Sequence, residues 1–182
     1  MSPAPPLSPS TPDFRRADVV AELRGPDGPL TMAATAGVLG GLCGVELELF
    51  GWLGRAAPSR PSPGEVVWAS AASLRAAWRA SELETLMPVS VGLAPTDGRS
   101  SPAPAVAAGL ALLAAGAAVD QAVPEAALAW YDVLLEAYRF RLERRSAAAD
   151  GPLARVLERV ATDLEAERSV ARRFAKAPGR YA

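Results

Sequence analysis

The sequence predicts an all-α protein built as a helical bundle, and three observations carry that expectation. Half of its 182 residues are hydrophobic but only 6% are aromatic. The apolar content therefore rests on alanine and leucine, which favour helices over strands. Apolar residues recur at helical spacing in four long segments separated by proline-rich breaks, and no segment alternates convincingly with period two.

Residues 1–30 hold seven of the 17 prolines with scattered serines and no apolar run. They read as a disordered or loosely draped tail preceding a bundle over residues 31–177. The tail lacks the hydrophobic region of a signal peptide, so secretion by that route is not expected. The first helix is expected from about Thr31 to Ala57, closed by Pro58, Pro61 and Pro63. Leu39, Leu42, Cys43, Leu49, Phe50 and Leu53 share one stripe, with Glu46 inside it and Glu48 off it. The second runs from about Gly64 to Met87 and stops at Pro88, because proline disfavours helix in the residue before it.

From Val89 to about Pro104 the chain is rich in Pro, Gly and Ser. Fully extended at about 3.3 Å per residue, this connection could span roughly 50 Å. A 25-residue helix is only about 37 Å long, so a crossover along the whole bundle is open, as is a plain up-down arrangement. The third helical region covers about Pro104 to Ser146, with Pro124 either kinking it or starting a second piece. The fourth opens at Asp150-Gly-Pro, a good N-cap followed by a tolerated early proline. Its stripe is Leu153, Leu157, Val160, Leu164, Glu167, Ala171 and Phe174.

Composition narrows the chemistry. There is no histidine, which removes ordinary zinc sites, Ser-His-Asp and Cys-His nucleophile pairs, and Glu-x-x-His metal ligation. The lone Cys43 cannot form an internal disulfide and reads as a small packed hydrophobe, consistent with a reducing, cytoplasmic setting. Isoleucine and asparagine are absent, and one lysine stands against 18 arginines, which looks like a GC-rich coding bias.

A net charge of -1 and a pI near 5.6 give no global attraction to nucleic acid or anionic lipid. The apolar runs Met32 to Val45 and Ala105 to Val119 fall short of the roughly 18 residues of a spanning helix, so no membrane partner is expected. From Arg139 onward 11 basic residues face six acidic ones. The acids interleave at helical spacing, as on a salt-bridged surface, and no nucleic-acid module is recognisable.

Several segments resemble the ferritin-like superfamily, in particular bacterial di-iron tRNA hydroxylases of the 2-methylthio-isopentenyladenosine pathway. Glu46-Leu47-x-x-Phe50-x-x-Leu53 looks like that family's ligand glutamate with its packing neighbours. Trp130-x-Asp132-x-Leu134-Leu135-x-x-Tyr138 resembles a stretch with Glu where Asp132 stands. Asp163-Leu164-x-x-Glu167 occupies the place of an Asp-Glu-x-x-His, with Leu164 replacing a ligand glutamate and Glu167 a ligand histidine.

The resemblance implies a ferritin-like four-helix bundle with a long crossover. The second helix departs furthest: from Val66 to Ser81 it carries neither acid nor histidine. Six implied ligands shrink to Glu46, Asp132 and Glu167, too few for two irons. The preferred reading is therefore a vestigial site with no cofactor, in which Arg75 and Arg79 form a salt-bridge plug against the remaining acids. Arg139 and Arg168 are further partners for those acids.

Trp68, Trp78, Trp130, Tyr131 and Tyr138 read as core-filling residues or, alternatively, as pocket walls, with Trp78, Trp130 and Tyr138 the candidate wall set. The expected protein is non-catalytic, a binding or assembly partner acting as a homodimer or with a helical protein. Two alternatives stand beside it. One is a hydroxylase- or oxidase-like enzyme, tRNA-directed by the resemblance, with a single Mn, Mg or Fe on Glu46, Asp132 and Glu167. The other is a carrier of a small apolar ligand.

Overall fold

The structure is a computed structural model describing residues 16–88, 104–116, 123–145 and 150–176. Among the described residues it is all-helical. The helices are α1 (Arg16–Arg24), α2 (Met32–Ala56), α3 (Pro63–Glu84), α4 (Pro104–Gly116), α5 (Val123–Glu143) and α6 (Gly151–Lys176). A short 3-10 turn, Ala57–Ser59, closes α2 at Pro58.

Local chemistry explains the boundaries. Thr31 caps α2 by accepting from the Ala34 amide at 3.2 Å. Ser62 caps α3 by accepting from the Glu65 amide at 3.2 Å, with Pro63 in the first helical position. The Asp150 carbonyl accepts the Ala154 amide at 2.8 Å as α6 begins. A separate helix begins at Val123, with Pro124 in its first turn. The expected crossover falls on residues 89–103, outside the described residues.

α1 lies inside the segment expected to be a tail. A nine-residue helix is marginal alone, but Val19, Val20 and Leu23 are buried against α5, α4 and α2. Gly25 ends α1 with φ +64, and a Cβ there would stand 2.4 Å from Val38 Cγ2. Only glycine suits both demands.

α2 packs on α3, α3 on α6, α6 on α5 and α5 on α2, while α1 and α4 lie against α2 and α5. The core between them is filled by leucine, valine and alanine with Trp68, Trp130, Tyr131 and Tyr138. On α2, Glu46 is buried and Glu48 exposed. Phe50, assigned to the buried stripe, is 40% exposed instead, because it sits at the outer edge of the α2–α3 contact. The apolar character of α2 also runs beyond Val45. Met32–Ser59 is by length and composition able to cross a membrane, and 44% of its most apolar window is buried within the fold.

Candidate functional site: a buried ion-pair chain

Glu46 of α2 and Arg79 of α3 are both fully buried at the centre of the fold. Arg79 donates from Nε to Glu46 Oε1 at 2.8 Å and from Nη2 to Oε2 at 2.9 Å. This is the two-pronged geometry that makes arginine–carboxylate pairs strong. Tyr138 of α5 adds a third bond, its hydroxyl donating to Glu46 Oε1 at 2.7 Å.

The remaining Arg79 nitrogen, Nη1, donates to Asp163 Oδ2 of α6 at 2.8 Å. Asp163 Oδ1 in turn accepts from Arg75 at 2.8 Å. Arg75 stands 3.5 Å from Glu167 Oε2, whose other oxygen accepts from Trp68 Nε1 at 2.8 Å. Acid and base alternate along the chain Glu46, Arg79, Asp163, Arg75, Glu167, which reaches the surface at Arg75 and turns back inward to the buried Glu167.

Helical spacing builds this chain. Arg75 and Arg79 stand four residues apart on α3, as do Asp163 and Glu167 on α6, so each pair shares one face. Tyr131 precedes Tyr138 by seven residues and falls within about 20° of it around α5. Its hydroxyl is buried with no hydrogen-bond partner.

The electrostatics follow from burial. Desolvation pulls the Arg79 guanidinium toward neutrality, but the charge and hydrogen bonds of Glu46, with help from Asp163, more than reverse this. Its pKa is raised overall. Burial and the Glu46 carboxylate push the Tyr138 hydroxyl well above its ordinary range. Burial and Glu167 do the same to Tyr131. Three acids against two bases leave the chain one negative charge in excess. Burial raises the Glu167 pKa against the opposing pull of Trp68 and Arg75.

Other residues singled out by sequence fall differently. Asp132 lies six residues before Tyr138, about 120° around α5. It faces away from Glu46 and pairs with Arg168 and Arg16, beside an open pocket of about 310 Å³ lined also by Glu136, Arg139 and Phe140. Arg139 pairs with Glu165 at 2.5 Å. Leu164 is fully buried as plain core. Trp130 and Tyr138 are buried, whereas Trp78 is 38% exposed on the outer side of α3.

Asp163 joins the cluster without having been assigned a role in the ion-pair plug, and Trp68 and Tyr131, read only as core or pocket-wall residues, complete it. The signal for Asp163 was its i, i+4 relation to Glu167. Trp68 lies seven residues before Arg75 on the same helix face.

The two irons implied by the resemblance do not fit these residues. Both Glu46 oxygens are taken by Arg79, whose guanidinium is a cation with no acceptor capacity. Leu164 offers no donor atom, and imidazole is absent. The single-metal set is not assembled either, because Asp132 points elsewhere. Among the described residues, no three Asp, Glu or Cys side chains converge as metal ligands. Comparison with models of protein families, with curated proteins and with solved structures returns no match for this chain.

Proposed function

We propose that this chain is a non-catalytic, ferritin-like four-helix bundle of α2, α3, α5 and α6, with a long crossover through residues 89–103. In this reading an arginine plug stands in for a metal centre, and the protein works as a binding or assembly partner. The closed circuit of contacts among those four helices supports the architecture.

One observation carries the functional reading: Arg79, fully buried, holds both oxygens of Glu46. A buried cation at the spot where carboxylates would grip metal gives the acids a complete set of partners. It also sets an electrostatic barrier to a second cation. A general acid or base for hydroxylation needs a titratable group within reach of substrate. Here Glu46 is sealed beneath Tyr138 and Arg79.

Metal analysis of the full chain purified from cells supplied with Fe and Mn tests this. The expected result is substoichiometric metal that Glu46→Ala leaves unchanged. Stoichiometric metal lost on Glu46→Ala would overturn the proposal.

A further inference from the structure

The large apolar side chains left exposed among the described residues are Met32, Leu47, Phe50, Val67, Leu74 and Trp78. All six belong to α2 and α3, and their exposures run from 38% to 69%. The α5–α6 side, by contrast, is laced with ion pairs such as Arg139–Glu165 and Arg145–Glu158. Ser73 Oγ donates to the Phe50 carbonyl at 2.8 Å, tying the two outer surfaces together at mid-length.

A second anomaly lies on the same surface. Gly37, Gly40, Gly44, Leu47, Gly51 and Gly54 follow one another at alternating spacings of three and four, the seam of a helix that packs against another helix. Glycine is the poorest helix former after proline, so some packing need should explain it. Within this fold Gly41 lies against Leu23, and a Cβ on Gly54 would press on Ser73 Oγ. At Gly37 and Gly44 a Cβ would meet nothing within 4 Å. The monomer gives no reason for glycine there, whereas a second helix backbone approaching from outside does.

We infer that the outer face of α2 and α3 is a self-association surface, occupied by the same face of a second copy of this chain. This rests on the binding-partner reading above and names the partner. Size fits: α3 is about 33 Å long and two adjacent helices are about 20 Å wide. The face covers roughly 650 Å² per copy, and the pair about 1,300 Å², within the range of stable interfaces.

Charge fits as well. The α2 part of the face carries one acid, Glu48, and one base, Arg55, neither with an ion-pair partner among the described residues. They stand about 10 Å apart along α2, too far to pair within one chain. A two-fold partner offers each the opposite sign. A helix lying on a lipid surface would instead need a Lys/Arg-rich polar flank, which this face lacks.

Sedimentation equilibrium of the full chain tests the inference. The expected mass is twice the chain's 18.9 kDa. Gly44→Gln should keep the helical circular dichroism and raise the thermal midpoint of the monomer, yet weaken dimerisation about 30-fold or more. Leu74→Glu should weaken it similarly, and if that variant fails to fold, Gly44→Gln alone decides.

A monomeric native chain would overturn the inference. So would dimerisation undiminished in the folded variants, or a native chain that co-sediments with phosphatidylcholine vesicles in place of pairing. Metal content read on the same sample keeps the two proposals separate: stoichiometric metal removes the arginine plug without altering the mass, and a monomer mass removes only the dimer.

Discussion

Replacing Arg79 by methionine tests the buried centre most directly. The change keeps much of the aliphatic stem but strips Glu46 of two charge-assisted bonds and Asp163 of one. Asp163 retains Arg75, and Tyr138 still donates to Glu46. The cost is therefore concentrated on a fully buried carboxylate holding one neutral donor. Breaking one side of such a pair costs about 3–5 kcal/mol. For a chain of this length that is roughly a 6–20 °C drop in thermal midpoint.

Removing the whole group as Glu46→Leu/Arg79→Leu/Tyr138→Phe leaves no fully buried charge without a partner, since Asp163 keeps Arg75. Replacement of a buried pair by apolar residues is often neutral or better, so this triple variant should lie nearer the native protein than Arg79→Met does. Urea unfolding followed by far-ultraviolet circular dichroism measures both. A cost below about 1 kcal/mol for Arg79→Met, the level of an exposed pair, would refute the burial argument. A triple variant less stable than the single one would refute the reasoning about orphaned charge.

Further expectations follow from the same geometry. Tyr138→Phe removes one hydrogen bond to a charged acceptor and should cost about 1.5–3 kcal/mol by urea unfolding. Because burial raises the folded pKa of Glu167 above 4.5, the native state holds a proton that the unfolded chain has released in the window just above that value. Stability should fall as pH rises through this window, and Glu167→Gln should flatten the fall. Parallel melting curves from pH 4 to 7 would contradict this. The raised Tyr138 pKa acts with the same sign at alkaline pH: above about 10 the unfolded chain ionises first, so stability should drop more steeply in the native protein than in Tyr138→Phe. Gly25→Ala, which forces a Cβ into Val38 at positive φ, should cost more than about 1 kcal/mol and lower the thermal midpoint.

The helix starts were legible wherever capping chemistry marks them. Asp150-Gly-Pro announces α6 because the cap and the fixed proline φ act within a few residues, whereas Pro63, read as closing the first helix, is the first residue of α3 behind its Ser62 cap. The place of Glu46 was legible for a similar reason, since an acid among apolar residues at helical spacing has to find a counter-charge inside. α1 was hidden: three apolar residues between proline-rich stretches give too short a period, and what holds them is contact with helices distant in sequence. Asp132 and Trp78 show a second limit. Their spacing fixes which face of the helix they share, but which face turns inward is decided by the partner helix. Phe50 misled for the same reason, lying at the boundary between a buried stripe and the surface.

The pairing of Glu46 with Arg79 also works as a ratchet in sequence space. Neither residue can be exchanged alone without stranding its opposite in the interior, and arginine keeps its charge at any pH a cell encounters. A lineage that acquires such a lock can drift at Asp132, which lies outside it, with less consequence. To undo it, the lineage must pass through an intermediate less stable than either end point. The two positions should therefore be inherited together and change only together.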